Sequence, residues 1–522
     1  MAATGGTAID LAAAIITAPT APADWLVIAP VVIPLLTGAL LVALRHRTGV
    51  QGAIALAGLA LTIVCAALLF ARVSAQGPIV MTMGRWLPPF GISFAADALG
   101  ALLSLTASIV GFIAALYSLR DIDIAGRRYG FYPFLTLMMA GVGGAFLTGD
   151  VFNLYVWFEV FVISSFGLLV VGDDEARIDG AVKYAILNLI ATTLFLIATG
   201  YLYGVFGTLN MADLHRKMAA VGSEAPMMTL ATLYLVAFGM KAAAFPVNFW
   251  LPASYHTPKI VTSALFGGLL TKIGLYALLR VLVMIMPAER LALSPLIGWI
   301  AAATMLLGVL GALAQSDIRR MVGFVLISGV GVMLSGLAVG DAAGLSGAIL
   351  YAVHSMLVVT ALYLLAGMIR DAGGSFSLEA LAGLYDRAPV LAAGALLLAF
   401  AIAGLPPGSG LWPKIVLVRA SLDAGAGWLA AVILVTGLLT TVAFGRVFLL
   451  AFWRENADNP ALAERRRKVP HLAFAALIAL LAPSLAMGLY PEPFVAAAKN
   501  AAAGLLEPTP YVDAVFPGRA AP

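Results

Sequence analysis

Residues 235–258 read LVAFGMKAAAFPVNFWLPASYHTP and place a lysine, Lys241, inside an apolar helical segment. A lysine in hydrocarbon costs several kcal/mol unless it is paired, hydrated or neutral, so a lysine in mid-span indicates a functional site. Lys241 lies about thirteen residues, or roughly 20 Å of helix, from the start of the segment at Met228. The alternative is a lysine whose side chain extends to the membrane interface.

Pro246 predicts a break in this helix five residues after Lys241. Proline has no backbone N–H and frees a carbonyl in the preceding turn. Inside a membrane such a carbonyl must face protein or water and not lipid. The lysine and the break together therefore predict a hydrated polar centre in this part of the fold.

The composition identifies the class of protein. Of the 522 residues, 62% are hydrophobic and 11% are charged, and the mean hydropathy is +1.02. These values exclude a soluble globular chain and predict an all-α polytopic membrane protein. The formal net charge is +4, but the basic residues lie mostly in short loops, where they report membrane orientation. We therefore expect a lipid bilayer around the protein and no nucleic-acid partner.

Cofactor and metal chemistry find little support in the sequence. The single cysteine, Cys65, lies in an apolar segment, which excludes an internal disulfide and any site held by several cysteines. His46, His215 and His471 lie in loops or at the ends of segments, so no histidine pair is placed to hold a haem. We expect no cofactor and no metal, and an ion transporter in place of an enzyme.

Fourteen apolar segments have the length needed to cross a membrane. They are residues 25–44, 50–71, 99–119, 131–148, 151–171, 181–205, 228–250, 260–284, 293–314, 321–339, 345–369, 390–420, 428–452 and 471–490.

The charges of the connecting loops alternate along the chain. One set of loops holds Arg45, Arg47, Arg120, Arg127, Arg128, Arg177, Lys259, Arg319, Arg320, Arg370, Arg387, Arg454, Arg465, Arg466, Arg467 and Lys468. The opposite set holds only Arg72, Arg85, Arg216, Lys217 and Arg290, with Lys499 and Arg519 in the tail. Because basic loops stay in the cytoplasm, the first set is predicted to be cytoplasmic and both termini to lie outside.

These segments divide the chain into five predicted regions. Residues 1–24 lack the basic start of a signal peptide and are interpreted as an N-terminal extension. Residues 25–130 hold the first three transmembrane helices, residues 131–284 and 293–452 hold two five-helix units, and residues 469–522 hold the last helix and the tail.

Several ionisable residues fall inside the predicted spans. Glu159 is about eight residues, or roughly 12 Å, from the start of its span, and Lys241 is its obvious partner. Lys272 and His354 also lie in mid-span. A lone histidine in a helix is more often a hydrogen-bonded core residue than a proton carrier, but for His354 the two roles are weighed evenly. It carries protons only where water reaches it. For Lys183, Arg280, Arg419 and Arg446, a side chain that extends to the interface or caps a helix is favoured.

Residues 390–420 share with residues 235–258 a lysine close to a predicted helix break. About 31 residues of helix would span roughly 46 Å, more than the ~30 Å hydrocarbon core. The sequence GLPPGSG interrupts the segment at Pro406 and Pro407, and Lys414 follows Pro413 directly. We interpret Pro406, Pro407 and Pro413, like Pro246, as helix breaks, which makes the seventh and twelfth helices discontinuous.

Two broken helices at corresponding positions indicate an internal repeat. Helices 4–8 would pair with helices 9–13, and an odd number of helices in each unit makes the two units inverted relative to each other.

Several runs resemble a known family: VFNLYVWFEVF, KAAAFPVNFWLPASYHTP, TKIGLYALLR, AQSDIRRMVGF and AIAGLPPGSGLWPK. They are similar to the proton-translocating antiporter-like subunits shared by respiratory complex I, membrane-bound hydrogenases and Mrp-type cation/proton antiporters. The similarity covers nearly the whole chain after about residue 24. NLYVWFEVF, ILNLIATTLFLIATG and GTLNMADL look most like the D-type subunits of Mrp multisubunit sodium/proton antiporters.

The resemblance implies fourteen core helices and a hydrated polar axis at the middle of the membrane. It implies proton-transfer roles for Glu159, Lys241, Lys272, His354 and Lys414. Many relatives carry a lysine four residues after the histidine, whereas this chain has Val358. The link between His354 and Lys414 is therefore expected to depend on water.

The expected function is proton translocation in a multisubunit Na⁺/H⁺ antiporter of the bacterial inner membrane. The hypothesis is that a proton arriving near Lys272 or Lys241 changes the charge balance of Glu159 and Lys241, and that successive groups pass protons to Lys414. The partners would be other antiporter subunits, H⁺, and Na⁺ or K⁺.

Two alternatives stay open at this point. The nearer one is a proton-pumping subunit of a complex I-type NADH:quinone oxidoreductase or a membrane-bound hydrogenase, and neighbouring genes would separate it from the antiporter. The more distant one is a stand-alone solute carrier, which cation-driven uptake by the purified chain would support.

Overall fold

The computed structural model of the chain describes residues 15–17, 19–172, 175–218, 226–455 and 464–517. Of the predicted N-terminal extension, residues 1–14 and 18 lie outside the described residues.

The described residues fold mainly into helices, which we number in chain order. The first half of the chain forms α1 (Ala29–Ala43), α2 (Thr48–Gln76), α3 (Ala98–Asp121), α4 (Ile124–Arg128), α5 (Phe131–Leu147), α6 (Val151–Val170), α7 (Glu175–Phe206), α8 (Met211–Met218), α9 (Met227–Ala242), α10 (Trp250–Ser254) and α11 (Ile260–Leu278). The second half forms α12 (Pro287–Ala314), α13 (Ile318–Val339), α14 (Ala342–Gly373), α15 (Leu384–Arg387), α16 (Pro389–Ala403), α17 (Leu411–Asp423), α18 (Gly427–Val447), α19 (His471–Leu489), α20 (Glu492–Leu506) and α21 (Thr509–Val515). Short 3-10 segments cover Pro22–Val27 and Met83–Arg85, and π-helical turns cover Leu279–Ile285 and Phe448–Trp453.

The chain is a mostly helical, multi-pass membrane protein. In the described part of the chain, ten helices are long and apolar enough to cross a membrane. Four shorter apolar helices, α1, α5, α9 and α16, coincide with the four remaining predicted segments. The count of fourteen crossings and the five-region division stay predictions.

A small hairpin departs from the all-α expectation. Strands β1 (Ile79–Thr82) and β2 (Ser93–Ala96) pair antiparallel between α2 and α3, with Ile79 opposite Ala96. Side chains of β1 alternate between buried and half-buried positions, which is the period of two expected for a strand with one covered face. Because the prediction searched for long apolar runs, it missed strands of four residues.

The centre of the fold is formed by α11 and α14. The most apolar window of each of these helices is completely buried, whereas only 28% of that of α2 is buried. Glycines allow the close contact between them. A Cβ atom at Gly268 would overlap the Thr360 hydroxyl, and one at Gly267 would lie 2.7 Å from the Tyr363 ring. Gly267 and Gly268, which precede Lys272 in α11, therefore allow α14 to approach closely.

The first predicted helix break is present, but it begins earlier than Pro246. Helix α9 ends at Ala242, and Ala243 takes a left-handed conformation with φ of 60°. The Met240 carbonyl accepts hydrogen bonds from the Ala243 backbone N–H (3.1 Å) and from the Trp250 indole (3.2 Å), which ties the segment after the break to the end of α9. Pro246 lies inside the non-helical segment, and the break leaves Lys241 in the last turn of α9.

The second break separates α16 from α17. Helix α16 ends at Ala403, and Gly404 takes a left-handed conformation with φ of 87°. Pro406 and Pro407 lie in the non-helical segment, as expected. The prediction for Pro413 is wrong, because this residue lies in the first turn of α17. Proline is tolerated there because the first N–H groups of a helix have no partner in the helix. The inverted relation between the two units stays a prediction.

The C-terminal tail covers the ends of central helices on the predicted outer side. Helix α20 packs against α3 and α14, and it buries the alanine face that includes Ala498 and Ala502. In α21, the Tyr511 ring lies 5.4 Å from the Arg280 guanidinium. The tail is therefore part of the packed fold.

Candidate functional site

Lys241 is buried at the end of α9 and is hydrogen-bonded to an amide. Its ammonium group donates to the Asn188 side-chain carbonyl in α7 (3.2 Å) and lies 5.7 Å from the centre of the Phe158 ring. The side chain is 4% exposed, so it does not extend to an interface. The break that follows Lys241 therefore leaves the lysine in the protein interior.

Glu159 lies in electrostatic range of Lys241, but the expected direct pair is not formed. Among the described residues, no carboxylate lies within 4.0 Å of the Lys241 ammonium. The neighbouring residue Phe158 faces the lysine, and adjacent residues on a helix point about 100° apart. One Glu159 oxygen, Oε1, is buried without a hydrogen-bond partner in the described structure. Glu159 therefore acts on Lys241 through its charge.

Lys272 lies in the most completely buried helix. Its ammonium donates to the Gly267 carbonyl of the same helix (2.7 Å), and the side chain is 1% exposed. Two residues further along, a Cβ at Gly274 would lie 2.7 Å from the Ala242 backbone nitrogen. This glycine brings α11 into direct contact with the end of α9, so the Lys272 helix packs on the first break.

His354 connects the central helix α14 to the second break. Its Nδ1 atom hydrogen-bonds the Ser409 hydroxyl (2.7 Å), which in turn hydrogen-bonds the Ser484 hydroxyl of α19 (2.7 Å). The Nε2 atom is buried without a partner in the described structure. His354 lies in electrostatic range of both Lys272 and Lys414. Val358, one turn along the helix, is fully buried and has no polar group.

Lys414 reaches back across the second break. From the first turn of α17, its ammonium donates to the carbonyls of Ala403 (2.6 Å) and Ile402 (3.3 Å) at the end of α16. Carbonyls at the end of a helix carry partial negative charge and lack partners, so a cation there is favourable. The lysine thus joins the two halves of the broken helix.

Four of the five predicted residues form two pairs. Lys241 lies at the first break with Glu159 of α6 in electrostatic range, and His354 and Lys414 both contact the second break. Lys272 lies on the central helix α11, which packs on the first break. Sequence reasoning missed Asn188 and Ser409, which hydrogen-bond the lysine and the histidine. The available signals were an amide inside the apolar run ILNLIATT and a hydroxyl inside the break GLPPGSG.

The prediction that Arg280 extends to the interface is wrong. This side chain is 1% exposed and pairs with the buried carboxylate of Asp97 (2.5 Å). Its Nε donates to the Tyr276 hydroxyl (3.0 Å), which donates to the Phe146 carbonyl (3.0 Å). The partner Asp97 caps α3 and is 183 residues away in sequence, which is why span-by-span reasoning could not find it.

The other three cations treated as peripheral behave as expected. The side chains of Arg419 and Lys183 are 83% and 51% exposed and pair with Asp423 and Asp179. Arg446 donates to the Leu313 carbonyl (2.6 Å) at the end of α12, so it caps a helix.

His256 lies in the loop after α10, on the predicted cytoplasmic side. Its Nδ1–H donates to the Pro252 carbonyl (2.8 Å), and its Nε2 accepts from the Arg320 guanidinium (3.0 Å). A guanidinium only donates hydrogen bonds, so the ring is neutral in this arrangement. Burial, with a smaller contribution from the Arg320 charge, lowers the pKa of His256 below its ordinary value.

We expect stability to fall on acidification because of His256. Below about pH 6.5 the unfolded chain takes up a proton on this histidine before the folded chain does, so unfolding becomes easier as pH falls. His256→Gln keeps a neutral acceptor for Arg320 and should lose less thermal stability between about pH 7.5 and pH 5.5. Thermal unfolding of the detergent-purified protein measures this, with the exposed His46 changed to Gln as the control. The same pH dependence in the wild type and in His256→Gln would contradict the prediction.

Within the described ranges, no group of three or more His, Cys, Asp and Glu side chains is arranged to hold a metal ion. The chemistry that the site offers is proton exchange, because its groups are lysines, one histidine, one carboxylate and hydrogen-bonding hydroxyls.

Comparison with known proteins gives consistent matches. Residues 148–440 match the family described as NADH:quinone oxidoreductase/Mrp antiporter, TM. The D subunit of the Na(+)/H(+) antiporter of Bacillus subtilis (strain 168) is 39% identical over 490 residues, which are 94% of this chain and 99% of the relative. A chain of the Mrp complex from Dietzia sp. DQ12-45-1b superposes with a TM-score of 0.89 at 30% identity, covering 95% of this chain and 100% of that chain. A chain of respiratory complex I from Thermus thermophilus superposes with a TM-score of 0.80 at 25% identity, covering 92% and 99%.

Proposed function

Because the chain belongs to the NADH:quinone oxidoreductase/Mrp antiporter family of membrane subunits, we propose that it translocates protons within a multisubunit Na⁺/H⁺ antiporter of a bacterial cell membrane. The protein is an antiporter subunit and not an enzyme. The names of its relatives support sodium as the exchanged ion, with potassium as the alternative. Its partners are the other subunits of that assembly and the lipid bilayer.

One observation carries the proposal. Lys241 and Lys272 are buried in the helical core, Lys414 is half-buried, and none of the three has a salt-bridge partner within 4.0 Å among the described residues. Burial without an ion-pair partner disfavours the charged form of a lysine, so such a group exchanges protons more readily than a paired one. Three of them on separate helices suit proton transfer better than substrate binding.

Glu159 regulates the first of these lysines. Its charge favours the protonated form of Lys241, since opposite charges stabilise each other. When a proton neutralises Glu159, Lys241 loses this support and releases its own proton. Asn188 holds the ammonium in place without adding charge, so the protonation of Lys241 depends on its burial and on the opposing charge of Glu159.

The proton then passes along the central helices. Lys272 receives it next, because Gly274 packs α11 directly against the end of α9. His354 lies in electrostatic range of both remaining lysines, and its Nε2 atom is the unpartnered ring nitrogen. Val358 offers no polar group in the turn that follows, so water completes the path to Lys414. Exchange for sodium takes place elsewhere in the assembly.

Glu159→Gln tests the proposal. The substitution keeps the shape of the side chain and removes the charge, so sodium-dependent proton transport should be lost. The measurement uses inverted vesicles from an antiporter-deficient host that expresses the whole gene cluster, without any redox substrate. Glu175→Gln, at an exposed position in the first turn of α7, is the matched control.

Each outcome of this experiment has a clear meaning. Loss of exchange in an intact complex, with normal exchange in Glu175→Gln, supports the proposal. Exchange that survives Glu159→Gln would leave the carboxylate a structural role and contradict the mechanism. If the wild type shows no sodium-dependent proton transport in this assay and transports protons only after an electron donor is added, the redox-driven relatives are favoured in place of the antiporter.

A further inference from the structure

A strongly basic cavity lies on the predicted cytoplasmic face. Its volume is about 410 Å³, which is in the range of ligand-binding pockets. It lies where α3 and α14 end and where α11 begins. All the cations that line it belong to loops predicted to be cytoplasmic from charge alternation: Arg120, Arg177, Lys259, Arg319, Arg370 and Arg467.

The three carboxylates of the cavity are already occupied. Asp371 accepts from Arg120, which ties α3 to α14, and it forms an ion pair with Arg370 (3.1 Å). Asp121 accepts from the Val261 backbone N–H (3.1 Å) and caps α11. Asp123 accepts from the Gly126 backbone N–H (2.8 Å) and caps α4. Asp121 also lies in electrostatic range of Lys259. The six cations of the cavity nevertheless exceed its three carboxylates.

Several cationic groups of the cavity lack a partner. In the described part of the chain, Lys259 and Arg467 form no ion pair. The Nε atom of Arg177 is buried without a hydrogen-bond partner. A buried donor without an acceptor costs free energy, and native structures normally satisfy it. An anion in the cavity would supply the missing acceptor.

The basic cavity continues towards the membrane interface. A second cavity of about 350 Å³ shares Asp123, Arg177 and Lys259 with it and is also lined by Tyr129. Ile124, in the short helix α4, is 71% exposed, and Tyr129, the residue directly after this helix, is 65% exposed. Exposed tyrosine and aliphatic side chains beside basic groups are typical of the headgroup level of a membrane.

We propose that the basic cavity binds a phosphate-bearing anion, either the headgroup of an anionic phospholipid of the cytoplasmic leaflet or free phosphate. Guanidinium and ammonium groups in a pocket between transmembrane helices suit a phosphate by charge and by hydrogen-bond geometry. Bound there, the anion holds together the start of α11, which carries Lys272, and the end of α14, which carries His354. Binding of the anion would therefore stabilise the packing of the two central helices, α11 and α14.

Binding to the full-length chain, purified with its co-purifying subunits and delipidated, tests the proposal. Native mass spectrometry compares retention of phosphatidylglycerol with that of phosphatidylcholine with the same acyl chains, and thermal unfolding is followed with added inorganic phosphate. Lys259→Gln/Arg467→Gln removes two charges that form no ion pair. Arg128→Gln/Arg387→Gln is the matched control, since both arginines are exposed in loops of the same predicted side and neither lines the cavity.

We expect the wild type and the control to retain phosphatidylglycerol preferentially, and Lys259→Gln/Arg467→Gln to lose about tenfold or more of that affinity. Stabilisation by inorganic phosphate that is lost in the same variant, without a lipid preference, also supports the site and identifies free phosphate as its source. Equal losses in both double variants would overturn the proposal in favour of general surface charge. A folded wild type with neither effect would overturn it as well.

Discussion

Replacing Lys241 with alanine in the complete complex is expected to reduce cation-coupled proton transport by about a hundredfold or more, the size of effect typical of a positioned proton-transfer group. The Lys241 side chain lies at the end of α9, beside the break. Its ammonium contacts both the Asn188 amide and the Phe158 ring. Without it, Glu159 has no buried lysine to act on. Transport in inverted vesicles measures the effect.

A second substitution at the same position separates charge from proton exchange. Lys241→Arg keeps a positive donor for Asn188, but a guanidinium does not release its proton in a protein. It should therefore also abolish transport, even where the complex assembles normally. Lys183→Ala, which removes a half-exposed lysine of α7 that pairs with Asp179, is the control and should leave exchange intact.

Assembly must be checked for each variant. Lys241→Ala leaves the buried Asn188 carbonyl without its donor, which costs about 1–3 kcal/mol. Wild-type exchange in either Lys241 variant, in a complex shown to contain all subunits, would exclude Lys241 from the proton path.

Replacing Arg280 with methionine is expected to destabilise the protein by about 3–5 kcal/mol, because it leaves the buried Asp97 carboxylate without its counter-charge. The same change removes the donor to the Tyr276 hydroxyl and the cation beside the Tyr511 ring. It therefore weakens the contact between the end of the central helix, the start of α3 and the C-terminal tail. Thermal or denaturant unfolding of the purified protein measures the loss.

Two further variants make this prediction specific. Adding Asp97→Asn to Arg280→Met removes the unpaired charge and should recover part of the stability, which a double-mutant cycle quantifies. Arg419→Met removes an arginine that is 83% exposed and should have little effect. If Arg280→Met were as stable as the wild type, the buried pair would contribute nothing to the fold.

Local sequence patterns were enough to predict the helices, their breaks and the polar residues inside them. Apolar runs of spanning length had to become helices, because in hydrocarbon the backbone must satisfy its own hydrogen bonds. Pro246 predicted the first broken helix, and the cluster GLPPGSG predicted the second. The alternation of basic loops placed on one side of the membrane the cations that line the basic cavity. Lys241, Lys272, His354 and Lys414 stood out because each is a polar group in an apolar run.

The contacts of these polar side chains could be found only from the tertiary structure. Lys241 bonds an amide 53 residues away and not the expected Glu159, because the neighbouring Phe158 occupies the helix face towards it. Lys414 turns back to the helix before its break, and Arg280 pairs with Asp97 across 183 residues. Such contacts depend on how whole helices are rotated and packed, which is a property of all helices together. The pattern of one segment specifies where a polar residue lies along its helix, whereas the packing of the bundle specifies its partner.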